Sequence, residues 1–99
     1  MQCIEVIRLR TRPEKRQEII GWLLENAPVF RKVPFLREAI ICNGLSASSD
    51  LGLVLEWEDF PVHAHGSDAA ASITEGLRPF GLVDYTIWSV AGSVHPDPG

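Results

Sequence analysis

The chain repeats one structural unit twice. Each half runs from an apolar strand through an amphipathic helix to a second apolar strand. Cys3–Leu9, Pro13–Ala27 and Leu36–Asn43 make the first copy, and Leu51–Trp57, Ser67–Arg78 and Leu82–Ala91 make the second. Two split β-α-β units close into a four-stranded antiparallel sheet of order 4-1-3-2 with both helices on one face, the ferredoxin-like α+β arrangement. At 99 residues there is length for a single domain, and such a domain buries roughly 60–70% of its unfolded surface. Residues 1–92 are expected to form it, with 93–99 a loose tail.

The strand patterns say more about assembly than about chemistry. Cys3, Ile7 and Leu9 fall on one side of the first strand, and Ile4 and Val6 on the other. A strand apolar on both sides is covered on both sides. The helices cover only one face. The other, with Ile4, Val6 and Val54, leaves an apolar patch above the ~300–600 Å² usual for a monomer. A two-fold homodimer packing sheet against sheet is the simplest closed solution.

Helix signals are equally local. Thr11-Arg12-Pro13-Glu14 has the form of a capping box, and Ile19, Ile20, Leu23, Leu24 and Ala27 fall on one stripe. Pro28 ends or kinks that helix. Trp22 lies off the stripe, where a subunit contact or a covering loop is expected. Ser67 and Asp68 cap the second helix, with Ala69, Ala70, Ile73 and Leu77 as its buried face. Asp59 and Pro61 predict a short helical turn over Phe60–His65.

Composition removes several function classes. Residues 1–49 hold eight basic and five acidic side chains, and residues 50–99 one and eight. The basic residues alternate with Glu14, Glu18, Glu25 and Glu38 and lack an aromatic stacking platform, so a nucleic-acid partner is not expected. No apolar run approaches the ~20 residues that span a bilayer, and Glu5 in the alternating N-terminus is unlike a signal peptide. Cys3 and Cys42 lie on strands separated by a third, beyond disulfide reach. Both are expected as buried thiols in a reducing cytoplasm. His63-Ala-His65 with Asp68 falls short of the three or four ligands a metal needs, and no metal site is expected. Glu5, Glu38, Glu56 and Asp84 are charged strand residues; any that is buried must be paired or have a raised pKa.

The third strand, Leu53-Val-Leu-Glu-Trp57-Glu-Asp, followed by Ala64-His65, resembles the antibiotic biosynthesis monooxygenase family of dimeric α+β barrels. Trp57 matches its strand-end tryptophan, Asp59 its polar helix start, and Ala64-His65 its Ala-His pair. The resemblance extends over Cys3 to Ala91. It implies a pocket between sheet and helices in each subunit, and members that oxygenate aromatic phenols without a cofactor, oxidise quinols or degrade haem. Haem-degrading members use an asparagine on the first strand, and no Asn precedes Asn26 here.

Oxygenation without metal or flavin needs a base to make the substrate an electron donor, and a dry cavity around the intermediate. Histidine suits that base, which points to His65 or His63. Trp57 and Trp88 are candidate pocket walls, and Tyr85 and Asn43 candidate polar handles. The implied activity is a cofactor-independent monooxygenase of a small phenolic or quinol compound. The alternatives are a non-catalytic ligand-binding or stress-associated dimer, and an isomerase or decarboxylase using the pocket for proton transfer.

Overall fold

The computed structural model describes residues 2–58 and 66–97. Four strands, β1 (Cys3–Arg10), β2 (Leu36–Asn43), β3 (Asp50–Trp57) and β4 (Leu82–Ser89), form one antiparallel sheet in the order β2-β3-β1-β4. Helix α1 (Arg16–Glu25) continues after Asn26 into the short α2 (Ala27–Phe30), and α3 (Asp68–Leu77) belongs to the second copy. This is the strand order and the ferredoxin-like architecture expected from the repeat. The turn expected over Phe60–His65 lies outside the described residues.

Register fixes which side chains share a face. Cys3, Glu5, Ile7 and Leu9 of β1 sit beside Trp57, Leu55, Leu53 and Leu51 of β3, and all eight are buried. Ile19 and Leu23 of α1 and Ala70, Ile73 and Leu77 of α3 close over them to complete the core. The opposite face carries Ile4, Val6, Arg8 and Arg10 of β1, with Val54 and Ile40 level with Val6. No element of the described chain covers it.

Several local expectations change once tertiary contacts compete. Thr11 does not cap a helix. Its hydroxyl donates 2.7 Å to the Phe80 carbonyl, and a 3-10 turn over Pro13–Lys15 without a side-chain cap precedes α1. Leu24 is 58% exposed, because α1 turns only Ile19 and Leu23 fully inward. The break expected at Pro28 falls just before it: α1 ends at Glu25 and Pro28 sits in the first turn of α2, where its missing N–H is tolerated. Cys42 is exposed where a buried thiol was expected, since its register partner Gly52 places it on the open face; Cys3 is buried on the helix face. Trp22 reaches across to α3, its ring lying over Gly76 with its centroid 6.4 Å from that of Phe80. It therefore packs helix against helix within the chain.

Candidate functional site

Among the described residues the core contains one carboxylate. Glu5 lies in phase with Cys3, Ile7 and Leu9 and is 1% exposed. A carboxylate there must find donors for its lone pairs. Trp57 on the neighbouring strand donates Nε1–H to Oε1 at 2.6 Å. The Ser67 hydroxyl donates to the same oxygen at 2.6 Å, and the Ser67 backbone N–H donates to Oε2 at 2.9 Å. Tyr85 of β4 donates its hydroxyl to Oε2 at 2.5 Å. Four donors occupy the four lone-pair positions that an ionised carboxylate offers.

Local sequence explains how the donors converge. Ser67 is the N-cap of α3, with extended backbone, and its Oγ accepts from Ala70 N–H while donating to Glu5. Gly66 beside it has φ +78°, a left-handed conformation that favours glycine. A Cβ there would stand 1.9 Å from the Tyr85 hydroxyl and 2.6 Å from Glu5 Oε2. Gly66 thus satisfies both the turn and the close approach to the network. Burial, then the hydrogen bond to Glu5 and its negative charge, push the Tyr85 hydroxyl above its ordinary pKa. Burial first, and then Glu5, raise the Cys3 thiol too. Both groups are held in their protonated forms.

Two clefts flank this network. One of about 150 Å³ opens at the sheet end, lined by Cys3, Ile4, Arg37, Glu56, Trp57 and Val90. The other, about 260 Å³, runs between α3 and β4, with Tyr85 in its wall beside Ala71, Thr74 and Arg78. Trp57 and Tyr85 therefore each face a cleft on one side and hold Glu5 on the other.

The expected site residues divide sharply. Trp57 and Tyr85 come together through Glu5. Trp88 does not join them: its register partner is Ile4, which puts it on the open face, 61% exposed, with Nε1–H donating to Thr86. Asn43 pairs with Leu51, six residues before Trp57 along β3, or roughly 20 Å at strand rise. It is exposed at the hairpin end and cannot serve a pocket at Trp57. His63 and His65 lie outside the described residues. Glu5 and Ser67 are site residues that the sequence motifs do not single out, although the apolar neighbours of Glu5 at i±2 mark it as inward-facing.

Known structures share this architecture. A candidate antibiotic biosynthesis monooxygenase from Deinococcus radiodurans superimposes with a TM-score of 0.73 at 13% identity, covering 96% of this chain and 98% of that one. The chain has the fold of these oxygenases. The ActVA-Orf6 monooxygenase of Streptomyces coelicolor, solved with the ligand Nanaomycin D, gives 0.72 at 14% identity over 96% of this chain and 92% of its own. SnoaB, a cofactor-independent oxygenase from Streptomyces nogalater, gives 0.65 at 12% identity, with 94% and 96% covered. No protein-family model and no curated protein matches the sequence. Among the described residues no helix is long and apolar enough to cross a membrane.

Proposed function

We propose that this chain is a cofactor-independent monooxygenase of a small phenolic or quinol compound, acting in the cytoplasm as a homodimer that packs sheet against sheet. One observation carries the reading. The segment bearing His63 and His65 is bracketed by Trp57 and Ser67, and both brackets are hydrogen-bonded to the same buried carboxylate. The likeness in fold to SnoaB and ActVA-Orf6 supports the class of chemistry.

Glu5 itself is a holder rather than the base, because its lone pairs are already occupied. His65 or His63 removes the acidic substrate proton, and the resulting anion passes an electron to O₂. With an anthrone-type phenol, recombination gives a peroxide, and loss of water leaves a carbonyl where the CH₂ stood, so that one O₂ yields one product oxygen and one water. Trp57 supplies an aromatic wall and Tyr85 a hydroxyl kept protonated. Water exclusion protects the anion from reprotonation.

The test is oxygen uptake by metal-free protein with a panel of hydroquinones and anthrone-type phenols, repeated on His65→Ala and His63→Ala. Uptake above the enzyme-free rate that disappears in one histidine variant supports the reading and names the base. A correctly folded dimer without uptake across the panel favours the ligand-binding alternative.

A further inference from the structure

The start of β2 departs from regular geometry on both sides of Leu36. Phe35 has φ +67°, a left-handed conformation unusual for an aromatic residue, while its carbonyl accepts the Glu58 N–H at 2.8 Å. Leu36 pairs with Trp57, yet Glu38 pairs with the very next residue back, Glu56. Arg37 is therefore the extra residue of a β-bulge. Bulges re-aim a side chain and occur preferentially beside functional sites.

This side chain stands between two clefts. Arg37 lines the 150 Å³ cleft that contains Trp57 and also a groove of about 380 Å³ between α2 and β2. That groove is lined by the apolar Ala27, Phe30, Leu36 and Ala39 together with Arg31 and Glu38. Arg31 makes no side-chain hydrogen bond or ion pair among the described residues. Arg37 reaches only Glu58, at 3.9 Å with both partners more than half exposed, which is a weak tie. Two weakly committed guanidinium groups thus line a groove of about 380 Å³ together with the Phe30, Leu36 and Ala39 side chains. Such a groove matches a flat aromatic body carrying one anionic group, since arginine engages carboxylates through two parallel N–H donors.

We infer that the α2–β2 groove is a binding site for aromatic carboxylates, with Arg31 and the bulged Arg37 clamping the acid group and Phe30, Leu36 and Ala39 holding the ring. The inference goes beyond the oxygenase reading, which names a phenol or quinol at Trp57 and Tyr85, and does not depend on it. The clamp is a binding property with its own test.

Titration calorimetry with 2-naphthoate and its methyl ester, together with amide chemical-shift mapping, reads the site directly. The acid is expected to bind at least about tenfold tighter than the ester, to weaken with added salt, and to shift Phe30 and Ala39. Arg31→Gln and Arg37→Gln are each expected to weaken the acid about tenfold and leave the ester unchanged. Arg37→Lys keeps the charge but loses the planar fork, and is expected to recover only part of the affinity. Arg12→Gln, on another surface, serves as control. Equal binding of acid and ester, full affinity in the Arg31/Arg37 double variant, or no binding of either probe overturns the inference. Acid binding by a protein that shows no oxygen uptake across the hydroquinone and anthrone-type panel keeps the clamp and rejects the oxygenase reading. Oxygen uptake on an acid substrate with an unchanged KM in the double variant rejects the clamp alone.

Discussion

Replacing Glu5 by glutamine is the sharpest probe of the core network, because it changes almost no volume. An amide offers one acceptor oxygen and one NH₂ group, whereas all four neighbours of Glu5 donate. If the NH₂ takes the Oε1 side it meets the Trp57 indole N–H, which cannot act as an acceptor. On the Oε2 side it meets the backbone N–H of Ser67, which cannot either. Rotating the Tyr85 or Ser67 hydroxyl relieves only one contact, so a donor facing a donor remains in each orientation. The variant loses charge-assisted hydrogen bonds, each worth about 1.5–3 kcal/mol, and leaves a buried donor unpaired at about 1–3 kcal/mol. A net loss of about 3 kcal/mol is expected, a large share of the 5–15 kcal/mol typical of a domain. For a chain of this size that corresponds to a drop of about 12–24 °C in Tm. Urea unfolding should show a lower midpoint with an unchanged m-value, the signature of lost stability without altered compactness. A Glu5→Gln protein within about 0.5 kcal/mol of the parent would refute the four-donor assignment.

Four further outcomes test other parts of the structure. Tyr85 keeps its proton longer in the folded than in the unfolded state, so its contribution is intact below the unfolded value of about 10 and is lost as pH rises above it; urea midpoints across pH 9–11 should fall more steeply for the parent than for Tyr85→Phe. Gly21→Ala in α1 adds a Cβ with nothing within 4 Å and should stabilise by about 0.5–1 kcal/mol. Gly76→Ala in α3 sets its Cβ 2.5 Å from the Trp22 ring and should give no such gain in the same thermal melts. Val54→Glu puts a charge in the middle of the open face beside Val6 and Ile40 and should convert a sheet-packed dimer to monomer in sedimentation velocity, whereas an unchanged dimer places the interface elsewhere.

What could be read from the sequence followed periodicity, and what could not depended on register or on a distant partner. The alternation of Cys3, Ile7 and Leu9 and of Leu51 to Trp57 needs no structure to assign, and it marks the helix-covered face, while the sheet order follows from the doubled β-α-β unit. Trp88 was different. Its strand alternates on both faces, so only the pairing of Ile4 with Trp88 and Ile7 with Tyr85 decides which aromatic turns toward Trp57. Thr11 illustrates a local motif overridden from afar: the Phe80 carbonyl, sixty-nine residues away, takes the hydroxyl that a capping box would use. The bulge at Arg37 is invisible to a period-two reading, because an inserted residue looks like any other until the partner strand is known. Glu5 was legible by phase alone, but its four donors come from β3, β4 and the cap of α3, which no sequence window spans.

The position of those donors explains why a small domain keeps a charge in its core. Apolar residues of similar volume often replace buried ionic groups without loss of stability, so burial alone gives no reason to retain Glu5. The geometry supplies one. Its carboxylate joins β1 to the last residue of β3, to the first hydrogen-bonding position of α3 and to the middle of β4. A leucine in its place would fill the volume but could hold neither Trp57 nor Ser67, the two residues between which the chain passes through positions 59–65. The short left-handed step at Gly66 has the same logic, because any side chain there would push Tyr85 off the carboxylate. Glu5, Gly66, Ser67, Trp57 and Tyr85 therefore act as one unit that fixes both ends of the histidine-bearing segment. Changes at these positions should prove non-additive: once Glu5 is lost, removing the Tyr85 hydroxyl should have little further effect.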